Sequence, residues 1–151
     1  MVAEAEAYRG SKDPASHAFR GMTPRNSLMF GEAGHGYLYF SYGSHWCLNV
    51  TTEPPGIPGA VLIRSILPLE GTEAMLMNRG LAVAEHVADG PGKLTKALMI
   101  DDGLNGEDMV YSRKLYFLNG SNGLPVNRSP RIGVSKGTST RWRFYLRTQA
   151  I

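Results

Sequence analysis

Polar and apolar residues alternate at the start of the chain, over residues 2–8, and this spacing predicts a β-strand. An aromatic segment at 37–42 and an alternating segment at 46–51 are separated by a Gly-Ser pair, which predicts a hairpin. The apolar run 60–66, which is followed closely by a proline, predicts a buried strand. The same criteria predict three further strands, over 111–118, 131–134 and 142–146.

Two segments have the apolar spacing of helices. Residues 69–79 combine that spacing with good helix formers, and residues 91–99 begin with a proline, which suits a first helical turn. Strands therefore outnumber helices, and the chain has no internal repeat and no linker. The pattern predicts a single α+β domain over residues 1–151, with a curved, mostly antiparallel sheet, a protruding hairpin and a few helices.

Composition narrows the class of protein. A chain of 151 residues fits one domain, and its 18 glycines and 9 prolines favour turns over a helical bundle. A single cysteine, Cys47, excludes an intrachain disulfide and indicates a reducing compartment. No apolar run approaches the roughly 20 residues of a membrane span, and no secretory signal is visible. We therefore expect a protein that is not secreted, located in the cytoplasm or nucleoid of a prokaryote or in the nucleus of a eukaryote.

Charge is distributed unevenly along the chain. Residues 1–75 hold five Lys/Arg and seven Asp/Glu, whereas residues 76–151 hold eleven and six. After Asp108 there is no acidic residue, and eight Lys/Arg remain. Such a stretch is typical of a surface that binds a polyanion, although a solvated basic surface has the same composition.

Candidate chemistry reduces to one carboxylate and several aromatic rings. The four histidines lack metal-binding spacing, and Cys47 in mid-strand is expected to be a small core residue, so we predict no metal and no cofactor. Glu6 and Tyr8 share one face of the first strand, but Glu4 shares it too, and parity does not choose between the two glutamates. The aromatic side chains near the hairpin could stack on bases or form a core.

Eight short motifs follow one another along almost the whole chain: EAY at 6–8, His17, TPRN at 23–26, MF at 29–30, YFSYGSHWCLN at 39–49, Arg64, GPGKL at 90–94 and RIGV at 131–134. This ordered set resembles the alkyladenine (3-methyladenine) DNA glycosylase family. The resemblance implies a monofunctional base-excision enzyme that acts as a monomer on double-stranded DNA and needs no cofactor. Such an enzyme flips an alkylated or deaminated purine out of the duplex and hydrolyses its N-glycosidic bond with water.

The resemblance also implies roles for individual residues. Glu6 would be the general base that activates water, and Arg64 and the backbone carbonyl of Ile132 would help to hold that water. The flipped base would be enclosed by aromatic side chains and selected by an amide on the pocket floor, while a residue at the hairpin tip fills the gap in the duplex. The enclosing aromatic side chains would be those of Tyr8, His17 and Tyr39. The amide would be that of Asn49, and the residue at the hairpin tip would be Tyr42. Contacts to the DNA backbone are expected from Lys93, Arg131, Lys136 and Arg141.

One departure from the family concerns the start of the chain. Family members begin well upstream of the Glu-Ala-Tyr motif, so we expect this domain to lack the family's N-terminal segment and its first strand to lack neighbours. That expectation leaves open an alternative, a non-catalytic protein that binds DNA lesions on the same scaffold. An RNA-binding module would also fit the basic stretch, but it would not account for Glu6, Arg64 and Asn49 together.

Overall fold

A computed structural model describes residues 1–41, 43–120 and 123–147. Its centre is a six-stranded antiparallel sheet in the spatial order β2-β3-β4-β1-β6-β5. The strands are β1 (Val2–Tyr8), β2 (Gly36–Ser41), β3 (His45–Thr51), β4 (Ala60–Ile66), β5 (Val126–Ser129) and β6 (Arg143–Leu146). The helices are α1 (Thr72–Arg79) and α2 (Pro91–Ala97), together with the 3-10 helices Gly10–Lys12, Pro24–Phe30 and Asp102–Leu104. The predicted α+β domain is confirmed.

The pleat of the sheet separates two kinds of side chain. Leu38, Leu48 and Ile63 project to one face, where they pack with buried residues of α2 and of the segments that follow it. This is the main hydrophobic core, and it includes Leu94, Ala97, Ile100 and Met109. Alternate residues of the same strands project to the opposite face, which a smaller apolar cluster and the 3-10 helix Pro24–Phe30 cover only in part.

The first strand is not isolated. It lies between β4 and β6 and pairs with both, so the expectation that it would lack neighbours is wrong. The hairpin of β2 and β3, the buried strand β4 and the closing strand β6 agree with the sequence pattern to within one residue at each end. Helix α1 begins three residues later than predicted because Gly71 has a left-handed backbone, with φ of 70°, which the helix cannot include.

Two predicted strands are wrong. Residues 111–118 are irregular because Asp108 turns the chain before them: its carboxylate accepts the backbone N–H groups of Val110 and Tyr111, at 2.9 and 3.2 Å. Residues 131–134 are also irregular, with Gly133 at a φ of 73°. On the side of β6 away from β1, the pairing strand is instead β5, which the pattern did not predict.

Candidate functional site

One row of side chains crosses the open face of the sheet. In the register of the strands, Arg143 lies opposite Glu6, Glu6 opposite Leu62, Leu62 opposite Asn49, and Asn49 opposite Tyr37. Glu6 and Asn49 are therefore separated by a single strand, a distance of about 10 Å at the usual strand spacing. The row places a carboxylate, an amide and an aromatic ring on one surface, although they are far apart in sequence.

Glu6, the carboxylate of this row, has none of its surface exposed. Its Oε1 accepts a hydrogen bond of 2.8 Å from the backbone N–H of Ile132, and its Oε2 accepts one of 2.9 Å from the Tyr8 hydroxyl. A carboxylate has about four lone-pair sites, so each oxygen retains the capacity to accept one more hydrogen bond. Ile132, whose backbone carbonyl is expected to help hold the water, contacts Glu6 through its backbone N–H.

Arg64 lies beside Glu6 but pairs most closely with Glu4. Its Nε is 2.7 Å from Glu4 Oε1 and 3.5 Å from Glu6 Oε1. Arg143 Nε donates to the same Glu4 oxygen, at 2.6 Å. Burial disfavours the charge of Glu4, but the two guanidiniums outweigh that effect and hold its pKa below the usual value.

Aromatic rings form the walls next to this cluster. The rings of His17 and Tyr39 are in edge-to-face contact, with centroids 4.5 Å apart, and Tyr37 is 5.8 Å from Tyr39. His17 Nδ1 is 2.9 Å from the Tyr37 hydroxyl, which fixes the orientation of the imidazole. Burial, together with the charge of Arg25, lowers the pKa of His17, so its ring is neutral near pH 7. Burial raises the pKa of Tyr37 to about 12.

Asn49 is held rigidly at the base of these walls. It is 3% exposed, and its amide nitrogen donates to the backbone carbonyl of Tyr37 at 3.0 Å. Anchored in this way, the amide has one orientation relative to the strands. Cys47 lies two pairs further along the hairpin, opposite Tyr39, and burial raises the pKa of its thiol, which agrees with a packing role.

These residues surround a cavity of about 600 Å³. We call it the aromatic cavity, and its lining includes Tyr8, His17, Tyr37, Tyr39, Asn49, Leu62, Arg64 and the loop 132–135. Its volume is within the range of small-molecule sites. The structure thus brings the predicted pocket residues together, and Glu6 lies directly behind the wall that Tyr8 and Ile132 form.

Arg131 has a different position from that expected of a DNA contact. Its guanidinium is buried and forms a two-pronged ion pair with Asp13, at 2.5 and 2.8 Å, and it also donates to the carbonyl of Ala7. It lies 4.6 Å from the centroid of the Tyr8 ring. This guanidinium is enclosed, already paired and packed against Tyr8, so it does not lie at the surface where the expected phosphate contact would form.

The other expected backbone contacts lie at the surface. Lys136 and Arg141 are exposed, and Arg141 donates to the carbonyl of Arg128 at 2.7 Å. Lys93, in the first turn of α2, forms an exposed ion pair with Asp89 at 2.7 Å. Tyr42, expected at the hairpin tip, lies outside the described residues.

Four residues of the site were not singled out by sequence reasoning as members: Asp13, Tyr37, Arg143 and, as a partner of Arg64, Glu4. Strand parity was a usable signal for Tyr37 and Glu4, because each shares a face with a predicted site residue. Within the described residues, no group of three His, Cys, Asp or Glu side chains could hold a metal ion. Among the helices that the structure describes, none is long and apolar enough to cross a membrane.

The chain is similar in sequence to known proteins over almost its whole length. Residues 1–150 match the family model of methylpurine-DNA glycosylase (MPG). A protein of Chlorobium phaeobacteroides is 44% identical over 148 residues, which are 96% of this chain and 74% of the relative. Proteins of Prosthecochloris aestuarii and Methanocella arvoryzae are each 46% identical, over 97% and 95% of this chain and 71% and 74% of their own length. All three are named as candidate 3-methyladenine DNA glycosylases.

Proposed function

Because the chain belongs to the methylpurine-DNA glycosylase family, a family of DNA-repair enzymes for alkylated bases, we propose that it flips a damaged purine into the aromatic cavity and hydrolyses its N-glycosidic bond. A base stacked inside a duplex cannot be reached by a side chain behind a cavity wall, so extrusion must precede the chemistry. Every side chain that the scheme needs comes from one chain, so a monomer suffices, and no cofactor is required.

The composition of the cavity suits an alkylated purine. Alkylation at a ring nitrogen makes the base cationic, and the faces of Tyr8 and Tyr39 attract a cation that lies over them. A neutral His17 adds a third ring without adding a repelling charge. Stacking on aromatic side chains contributes about 1–3 kcal/mol per base, which offsets part of the cost of unstacking.

Glu6 supplies the chemistry in this scheme. A cationic purine is already a good leaving group, so the enzyme needs a positioned water and a negative charge beside the developing oxocarbenium ion. The free lone pairs of Glu6 can accept a proton from water, and Arg64 and the backbone near Ile132 help to position that water. Because Glu6 is fully enclosed behind Tyr8 and Ile132, water can reach it only when Tyr8 or the loop 132–135 shifts.

Asn49 provides selectivity at the floor of the cavity. Its amide is pinned by the Tyr37 carbonyl and cannot rotate away from a substituent that approaches it. We propose that the exocyclic amino group of undamaged guanine collides with this amide and is rejected. Deaminated purines lack the cationic charge and need a proton in departure, so they are expected to be released more slowly than alkylated purines.

One observation carries the proposal: a wholly buried carboxylate, held by Tyr8 and Ile132, directly behind a cavity lined with aromatic rings. The test uses duplex DNA methylated with dimethyl sulfate, from which released bases are separated by chromatography. We expect free 3-methyladenine and 7-methylguanine to appear with abasic sites in the DNA, and untreated DNA to release no purine. Tight binding to methylated DNA without release of any base would support the non-catalytic alternative and refute the proposal.

A further inference from the structure

The scheme above assigns no part to Glu4, although it is one of the few partly buried acids near the cavity. Its side chain is 15% exposed, and those of its partners Arg64 and Arg143 are 14% and 22% exposed. A charge enclosed to this extent is costly unless it is paired, and both partners come from strands other than its own. Glu4, Glu6, Arg64 and Arg143 form what we call the four-charge cluster, which has no net charge.

The backbone beside this cluster is irregular where Arg64 joins it. Glu4 pairs with Ser65, and Ala5 pairs with Ile63, so Arg64 is an extra residue in β4 with no partner in β1. Such a β-bulge redirects the side chain it carries. Here the guanidinium lies between the two carboxylates, and the Nε distances of 2.7 Å to Glu4 and 3.5 Å to Glu6 show which of them holds it.

The hydrogen bond from Arg64 Nε to Glu4 leaves the two Nη groups of the guanidinium available for other partners. Glu4 accepts the Nε–H, and within the described part of the chain the two Nη groups of Arg64 make no hydrogen bond. Arg64 also lines the aromatic cavity, whereas Glu4 does not. Without the Glu4 charge, the Nε–H would close the remaining gap to Glu6, form a direct ion pair with it and lower its strength as a base.

We propose that Glu4 is a positioning residue, which holds Arg64 by its Nε so that the Nη groups face the cavity and the guanidinium does not neutralise Glu6. The inference rests on the proposed function, because it explains how Arg64 stays available to the attacking water. Glu4 does not line the cavity, so its effect on the attacking water is exerted through Arg64, which does.

The kinetic test compares Glu4→Gln and Glu4→Asp with Glu70→Gln, the same amide change at an exposed site. Under single-turnover conditions on methylated duplex DNA, Glu4→Gln is expected to release bases about 10- to 100-fold more slowly, as for a misplaced catalytic group. Its affinity for that DNA should match that of the parent. Glu4→Asp keeps the charge but shortens the reach, so it should lose rate without a change in the pH dependence.

The pH profile separates positioning from a merely structural role. Glu6 faces Tyr8 and Glu4 from its own strand, Arg64 from β4 and Arg143 from β6, with Arg131 from the loop nearby. Removal of the Glu4 charge takes away a like-charged neighbour, so the acid limb of the rate profile should move to lower pH. Glu4 is structural, and the proposal is wrong, if the slower base release of Glu4→Gln is fully explained by a lower free energy of unfolding and the acid limb of its rate profile does not move.

A second measurement decides the matter without catalysis. In the DNA-free protein, the ¹⁵Nε–Hε signal of Arg64 reports its hydrogen-bond partner. In the parent we expect the Nε–H proton of Arg64 to exchange slowly with solvent. In Glu4→Gln its chemical shift should change, because the Nε–H then donates to Glu6. In the double variant Glu4→Gln/Glu6→Gln the proton should exchange rapidly. An unchanged signal in Glu4→Gln overturns the inference. If the parent releases no base, the proposed function fails, and this signal still tests the hold of Glu4 on Arg64.

Discussion

Replacement of Glu6 by glutamine removes one negative charge and leaves its surroundings almost intact. The amide oxygen can accept the Ile132 N–H in place of Oε1, and the amide nitrogen can donate to the Tyr8 oxygen, whose hydroxyl hydrogen then turns away. Arg64 retains its 2.7 Å contact with Glu4. We therefore expect Glu6→Gln to fold and to bind damaged DNA as the parent does.

The rate of base release should fall far more than binding. A positioned general base contributes about 10²–10⁴-fold, which corresponds to about 3–5 kcal/mol of activation free energy. Glutamine cannot accept the proton of the attacking water, and it also withdraws the negative charge beside the oxocarbenium ion. Both losses occur in the transition state only, so the effect belongs to the chemical step.

The assay uses enzyme in excess over methylated duplex DNA, so that slow product release does not conceal a chemical defect. Release of methylated purines and retention of the DNA on a filter are measured on the same samples, with Glu70→Gln as the matched control. Release at the parental rate by Glu6→Gln would refute the assignment of the base. Equal losses of binding and release would mean that Glu6 is a structural residue and not the catalytic one.

Three further changes test other parts of the site. Asn49→Ala should release undamaged guanine from untreated DNA, because the obstructing amide is gone; release that stays at background would leave Asn49 with a structural role only. Asp13→Asn should lower the free energy of unfolding by about 3 kcal/mol at pH 7, because it leaves Arg131 buried without its partner. Burial opposes the charge of Asp13, but hydrogen bonds from Arg131 outweigh burial and depress the pKa of the carboxyl group. The contribution of Asp13 to the free energy of unfolding is therefore present above the usual pKa of about 4 and is lost as pH falls through the lower pKa of the folded protein. Urea unfolding should accordingly give a flatter acid dependence for Asp13→Asn than for the parent. Replacement of both Lys136 and Arg141 by glutamine should reduce the slope of log affinity against log salt by about 0.9 for each phosphate that the variant no longer neutralises, and an unchanged slope would remove them from the DNA-binding surface.

The sequence predicted the strands that carry the site better than the contacts that complete it. Alternation located β1 and the hairpin, and parity then placed Tyr8 with Glu6, because side-chain direction in a strand depends only on local spacing. Parity did not distinguish Glu6 from Glu4. The difference arises from the loop after Arg131, whose backbone N–H reaches Glu6 from 126 residues away.

The same loop explains the least successful part of the prediction. Its alternating apolar residues resemble a strand, but Gly133 has a positive φ and the segment leaves the sheet to lie against Glu6 and the aromatic cavity. A regular strand would pair its N–H groups with a neighbouring strand, whereas this loop can direct the N–H of Ile132 at a carboxylate. Local pattern does not encode that choice, because the partner lies in β1 at the other end of the chain.

The basic stretch after Asp108 illustrates how pairing over long distances alters an argument from charge. Of its eight cations, Arg131 and Arg143 point inward and pair with Asp13 and Glu4, acids 118 and 139 residues earlier in the chain. Buried carboxylates near a cavity require such partners, since an unpaired one would remain neutral or destabilise the fold. The stretch therefore has two roles, to neutralise the acids in and after the first strand and to present the remaining cations outward. At most six of its charges are then available to phosphates. A slope of log affinity against log salt that required all eight to contact DNA would contradict the ion pairs of this structure.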